Sequence, residues 1–178
     1  MKYLICADLH GSAYYANKLI EVFNNEKVDL LILLGDVYNH GPRNPLPKDY
    51  APMTVADILN GIKDKLLVIK GNCDSEVDTM ISKFDFLSSS VIIDNGKKVF
   101  LTHGHIYNKD EKPKTNFDAV IYGHFHTGFV EKIDSTVYAN CGSLSLPKGG
   151  TPNSYITLEN GVLELKNING EIIETIKL

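Results

Sequence analysis

Asp29-Leu-Leu-Ile-Leu-Leu-Gly-Asp36 is a nearly continuous run of leucine and isoleucine that stops at a Gly-Asp pair. A run of this kind without polar alternation reads as a strand buried on both faces, so the sheet that holds it is covered on either side. The same pattern recurs on each flank. Upstream, Lys2-Tyr-Leu-Ile-Cys-Ala7 runs into Asp8, and Ser12 then precedes Ala16, Leu19, Ile20 and Phe23 at helical spacing. Downstream, a proline-rich loop from Gly41 to Pro52 leads to Val55, Ile58, Leu59 and Ile62, which mark a second helix. Leu66 to Ile69 then reads as a third strand, running into Gly71-Asn72. Alternation of strand and helix predicts a parallel sheet with its functional groups at the carboxyl ends of the strands.

The second half has a different grammar. Asn95-Gly96, Asn160-Gly161 and Asn169-Gly170 each separate runs rich in Val, Ile and Leu, and Asn-Gly is the strongest short-range hairpin signal. A further hairpin is expected around Asp134-Ser135, and Ala119 to Tyr122 reads as a strand ending at Gly123-His124. Antiparallel pairing is therefore expected to dominate here. The whole predicts an α/β chain with two packed, mixed sheets flanked by helices. No repeat, low-complexity tract or linker divides residues 1–178, so a single domain is expected.

Composition narrows the function. The 178 residues are 43% hydrophobic and 22% charged, enough to bury a core without disulfides. A formal net charge of −4 argues against a protein whose main task is gripping nucleic-acid backbone, and no stable nucleic-acid complex is expected. No apolar run approaches the roughly 18 residues needed to span a bilayer, and the first one meets Asp8 almost at once. No membrane partner is expected. Cys6, Cys73 and Cys141 form neither a CxxC pair nor an even-numbered framework, which suits a reduced, cytoplasmic protein.

Five short polar motifs punctuate the strand ends: Asp8-Leu-His10, Gly35-Asp36, Gly71-Asn-Cys-Asp74, His103-Gly-His105 and Gly123-His-Phe-His126. Each alone is commonplace. In extended chain, residues i and i+2 point the same way, so Asp8 with His10 and His124 with His126 can each aim two ligands at one cleft. Five such motifs built from Asp, Asn and His, each just after a strand, point to a shared metal centre. Imidazole and carboxylate suit Mn, Fe, Zn or Ni rather than a thiolate zinc site.

In their order, DxH, GD, GN(H/C)D, H and GHxH, these motifs resemble the calcineurin-like metallophosphoesterases. Gly35 to Asn44, Gly71 to Asp78, Thr102 to His105 and Gly142 to Gly150 resemble, more narrowly, the YfcE-type bacterial phosphodiesterases over essentially the full chain. The resemblance implies an αββα sandwich, two divalent metal ions, manganese above all, with Ni, Fe, Zn or Co as alternatives, and hydrolysis of phosphodiester bonds. It implies that Asp8, His10 and His126 hold one metal, that Asn72, His103 and His124 hold the second, and that Asp36 bridges both. Such centres place their ions about 3.5–4 Å apart and present a shared hydroxide for in-line attack on phosphorus. Two divalent cations less two carboxylates and one hydroxide leave roughly one positive charge, which matches the single negative charge of a diester. The expected partner is thus a small phosphodiester.

Several positions around this set stay open from sequence. Many family members carry His where this chain has Cys73, so the donor of a proton to the leaving group is either the Cys73 thiol or another group, with Cys73 as lining. His105 shares the parity of His103 and is a second catalytic candidate. Asn39, His40 and Arg43 follow Asp36 in a proline-bounded loop, with Asn39 and Arg43 the candidate substrate contacts because a planar guanidinium suits phosphate oxygens. Asp74 is expected to orient a ligand rather than bind metal. Lys148 is an anion contact or a loop lysine, and Cys6 and Cys141 are small buried residues. Exposed edge strands leave a homo-oligomer open. A Vps29-like protein-binding scaffold and a phosphomonoesterase or nucleotide pyrophosphatase are the competing functions, and the filled ligand positions favour the diesterase.

Overall fold

The computed structural model describes residues 1–178. The first half delivers the expected alternation: β1 (Lys2–Cys6), α1 (Ala13–Glu26), β2 (Leu30–Leu33), α2 (Pro52–Asn60) and β3 (Leu66–Ile69). Two short elements follow that the periodicity does not mark, α3 (Glu76–Ile81) and β4 (Phe86–Leu87). The local signals act as predicted. Ser12 caps α1 by accepting the Tyr15 N–H at 3.3 Å, and Pro52 opens α2, where its missing N–H costs nothing.

The second half contributes β5 (Ser90–Asp94), β6 (Lys97–Leu101), β7 (Ala119–Tyr122), β8 (Gly128–Ile133) and β9 (Thr136–Cys141). It ends with β10 (Ser154–Glu159), β11 (Val162–Asn167) and β12 (Ile172–Lys177). Two mixed sheets result, in the orders β12-β11-β10-β1-β2-β3-β4 and β5-β6-β7-β9-β8. All four Asn-Gly or Asp-Ser turns do close antiparallel hairpins. The centre of the smaller sheet differs from the antiparallel expectation, because β6, β7 and β9 pair in parallel. Periodicity reports which faces are buried and not strand direction, and all four residues of β7 are buried.

Alternate residues of β1 separate two cores. Leu4 and Cys6 face α1 and α2 together with Leu19, Val55 and Leu59, whereas Tyr3, Ile5 and Ala7 face the other sheet together with Leu101, Ile121 and Ala139. Each large aliphatic side chain buried this way contributes about 1.5–3 kcal/mol. The outer face of the smaller sheet carries a separate cluster of Phe100, Val120, Tyr122 and Tyr138. Cys6 and Cys141 are buried packing residues, as expected. No helix is long and apolar enough to cross a membrane. What matters for function is direction: β1, β2 and β3 in one sheet, and β6 and β7 in the other, all end on the same rim, as the hydrogen bonds below require.

Candidate metal centre

The seven side chains expected as ligands lie just beyond five strand ends, and hydrogen bonds sew those ends together. His10 N–H donates to the Asp36 carbonyl at 2.8 Å, Asp8 N–H to Gly35 at 3.1 Å, and Gly123 N–H to His103 at 2.9 Å. The two sheets are joined where His124 N–H donates to Asp8 Oδ2 at 2.8 Å. Approach this close excludes a Cβ at two positions. A methyl at Gly71 would collide with the Asp36 carboxylate and amide, and one at Gly123 with Ala7 and Asp8.

The backbone itself is strained here. Asp8, His10, Asp36, His124 and His126 all take left-handed conformations, with φ of 57°, 50°, 55°, 67° and 61°. For a residue with a Cβ this costs roughly 1–3 kcal/mol and persists only where surrounding structure dictates it, most often at functional sites.

Three histidines are oriented by backbone carbonyls. His10 Nδ1 donates to Asn39 at 2.7 Å, His103 Nδ1 to Leu34 at 2.6 Å and His126 Nδ1 to Leu146 at 2.7 Å. A carbonyl cannot donate, so each Nδ1 carries the hydrogen and each Nε2 turns inward, the arrangement typical of metal-bound imidazole. His10 Nε2 and His126 Nε2 are 3.2 Å apart. In neutral rings that contact sets lone pair against lone pair, which is tolerable only with a positive charge beside it.

The carboxylates complete the cluster. Asp8 Oδ1 is buried, has no hydrogen-bond partner, and lies 3.3 Å from His126 Nε2 and 3.6 Å from His10 Nε2. Asp36 Oδ2 stands between the two halves, 3.8 Å from His10 Nε2 and 3.5 Å from His103 Nε2. Asn72 Oδ1 is 3.1 Å from His103 Nε2, and the His124 ring is 5.1 Å from that of His103, centre to centre. A buried carboxylate oxygen with no partner is costly unless something cationic meets it. The donor set, two carboxylates, four imidazoles and an amide oxygen, fits divalent metal ions.

Electrostatics say the same of the metal-free chain. Burial works against charge on Asp36, yet the His103 hydrogen bond and charge outweigh it and hold the carboxyl well below its usual range. Burial likewise opposes a charged His103, and Asp36 and Asp8 override it, raising the imidazole above its ordinary value. A proton on His103 thus stands where a cation would. His124 is pushed down to about 4 by burial and by His103.

Beyond the ligand atoms, Asp74 accepts the amides of Asp36, Val37 and Gly71 at 2.7–2.8 Å, which fixes the turn that carries Asp36. This is the orienting role expected of it. Ser143 and Ser145 fall in the Gly142 to Gly150 stretch, from which no role for them is read: both hydroxyls donate to the Asp8 carbonyl, at 2.8 and 3.0 Å, and hold the strained turn. Their only sequence signal is the Gly-Ser-Leu-Ser run after β9.

The signature of the calcineurin-like phosphoesterase superfamily domain matches residues 1–161. The chain belongs to that superfamily. Phosphodiesterase YfcE of Escherichia coli (strain K12) is 40% identical over 176 residues, which cover 97% of this chain and 95% of YfcE. The structure of Yfce, a phosphoesterase from E. coli, superposes with a TM-score of 0.95 over 99% of both chains at 38% identity. Vps29 from Cryptosporidium parvum shares the fold alone, with a TM-score of 0.69 at 17% identity over 99% and 98% of the two chains. The resemblance read from the motifs is therefore borne out, and with it the hydrolase class.

In this phosphoesterase the ligand cluster opens into a cavity of about 790 Å³, lined among others by Asn39, Arg43, Cys73, Phe125 and Lys148. Cys73 Sγ lies within 4.8 Å of His10 and Asp36 ligand atoms, while the Cys73 amide donates to Asp36 Oδ1 at 2.8 Å. Burial, then Asp36, pushes its thiol up to about 12. Asn39 does double duty, since its carbonyl orients His10 and its Oδ1 accepts the Gly41 amide at 2.8 Å. His105 is exposed, with its ring 5.3 Å from His103 and 6.1 Å from His124, and it lies outside the cavity lining. His40 packs edge-on against Tyr50 at 5.4 Å.

Proposed function

We propose that this phosphoesterase is a metal-dependent phosphodiesterase acting on a small diester at a pair of divalent ions, manganese foremost. The observation that carries the reading is the inward convergence of three carbonyl-anchored Nε2 atoms on the partnerless Asp8 oxygen and on Asp36. Asp8, His10 and His126 would hold one ion, Asn72, His103 and His124 the other, with Asp36 available to both. When bound, such a pair lowers the pKa of a shared water, making it a hydroxide nucleophile, and offsets charge on the phosphoryl oxygens.

The remaining work falls to the chain. Arg43 and Lys148 bring positive charge to the cavity wall, where the phosphate of a substrate docks. Burial and the neighbouring Asp36 carboxylate push the Cys73 thiol up in the metal-free chain, so Cys73 is read as a neutral lining group, in place of a base or a cation. A neutral wall there suits the single charge of a diester better than the double charge of a monoester. His105 stands outside the cavity lining, beside the rings of His103 and His124, and keeps its place as a second catalytic candidate.

The test is parallel assay of bis(p-nitrophenyl) phosphate and p-nitrophenyl phosphate on chelator-stripped protein, with and without Mn²⁺. Diester hydrolysis that requires Mn²⁺ and exceeds monoester hydrolysis is expected. Metal-independent turnover overturns the metal-dependent reading; no turnover of either ester leaves a protein-binding scaffold of the Vps29 kind as its successor, and faster monoester hydrolysis replaces it with a phosphatase.

A further inference from the structure

Phe125 sits between the two histidines of Gly123-His-Phe-His126, and its place in the chain delivers it to the rim of the site. It is the only large apolar side chain among the residues lining the cavity, and it is 45% exposed. The ring is held rather than loose. It meets His124 at 5.1 Å and Tyr122 at 6.1 Å, centre to centre, both nearly perpendicular, and its amide donates to the Gly123 carbonyl at 2.8 Å. Strained turns at His124 and His126 fix the backbone on either side.

These contacts make Phe125 a pre-ordered apolar surface on the wall of the cavity that a substrate's organic substituent would share with its phosphate. A phosphate seated at His124 has Phe125 as its neighbour on the cavity wall, so a planar group carried on that phosphate, directly as an aryl ester or across a ribose as a base, lies within the cavity that the ring borders. Binding to a ring already immobilised avoids most of the ordering cost that a free side chain would incur. Charge alone binds phosphate and does not distinguish what is esterified to it; in this cavity, the one large apolar face supplies that distinction.

The geometry points to Phe125 as a specificity-determining residue, a stacking platform for an aromatic substituent, so that the substrate class is diesters carrying a nucleobase or another aryl group. The assignment rests on the phosphodiesterase reading above. Base-on-aromatic stacking commonly changes affinity by about tenfold or more.

The test compares AMP with ribose 5-phosphate, two monoesters that differ by the base, as calorimetric ligands of the manganese-loaded full chain. AMP is expected to bind about tenfold more tightly to the parent protein, with the ratio falling to near one in Phe125→Ala and returning in Phe125→Tyr. Ribose 5-phosphate is the internal reference, so any loss of folded protein cancels from the ratio. Equal affinities in the parent protein, a ratio unchanged in Phe125→Ala, or no AMP binding overturns the assignment. Hydrolysis of bis(p-nitrophenyl) phosphate is measured on the same samples: if it is absent, the phosphodiesterase reading fails; if it is present while the ligands bind equally, only the platform fails.

Discussion

The two ends of β1 each carry a cluster of charge, and the clusters are opposites. At the amino end, Glu26 accepts from Lys2 at 2.7 Å, Lys166 at 2.8 Å and the Tyr155 hydroxyl at 3.0 Å, so its charge is met entirely from within the chain. At the carboxyl end, Asp8 faces the imidazoles of His10 and His126, whose lone pairs also point inward, and its Oδ1 has no partner at all. One cluster is complete and serves stability. The other is incomplete, held on strained backbone, and becomes complete only with cations. A satisfied network and a pre-strained, unsatisfied one differ in purpose even where their residue types overlap.

The sharpest way to break this contrast is at Asp36. Asp36→Asn is expected to cut diester turnover by about 10³-fold in saturating Mn²⁺ while the unfolding midpoint stays near that of the parent protein, since the amide still fits the turn held by Asp74. Near-normal turnover would show that Asp36 does not serve both halves of the cluster. Next comes the metal itself. Mn²⁺ at about a thousand times its dissociation constant is expected to stabilise the fold by about 4 kcal/mol, reversed by a chelator, as measured by thermal unfolding.

Uptake of that metal should also release a proton. His103 is raised and protonated in the metal-free chain, so an ion must displace its proton. Apparent affinity therefore rises with pH through the neutral range, by up to about tenfold per unit, and levels off once His103 is neutral. Calorimetry in buffers of different ionisation enthalpy counts the proton; pH-independent affinity would contradict the charge state assigned to His103.

A smaller effect is expected at Cys73. Cys73→His places an ionisable imidazole on the cavity wall and is expected to raise monoester hydrolysis about tenfold, read as the ratio of kcat/KM for the two nitrophenyl esters. No change in either activity would reduce Cys73 to packing. The smallest effect belongs to the other end of β1. Burial opposes the charge of Glu26, but Lys166, Lys2 and Tyr155 outweigh it and hold its carboxyl down at about 2. That stability is present above the ordinary carboxyl pKa and is lost as pH falls toward 2. Glu26→Gln is expected to cost roughly 1–2 kcal/mol at neutral pH, after allowance for solvent screening, and to flatten the acid side of the stability profile without touching kcat.

Much of the site is legible in the residues alone, because metal chemistry restricts residue type and strand ends restrict position. Asp8, Asp36 and Asn72 stand at the ends of three hydrophobic runs, and the histidines follow the same rule. The roles that the motifs do not reveal share one trait. Ser143 and Ser145 act on a carbonyl 135 or more positions away, and Phe125 matters through the cavity it borders; neither relation leaves a periodic trace. The parallel pairing of β6, β7 and β9 is hidden for a related reason, since burial on both faces looks alike in either direction. Cys73 reads as ambiguous because a thiol's acidity is set by what surrounds it, and in the metal-free chain burial beside Asp36 pushes it up.

Residue type and spacing by themselves determined the strand and helix alternation, the hairpins at Asn-Gly, the seven polar side chains of the cluster and the superfamily, because local backbone preference and ligand chemistry are properties of short segments. Only the tertiary structure decided that β10 lies beside β1, that the ends of two sheets meet where His124 donates to Asp8, that five residues in three loops are forced left-handed, and that Phe125 borders the cavity. Those outcomes depend on packing two sheets around a shared core. The energy of that packing is spread over residues far apart in the chain, so no short stretch of sequence carries it.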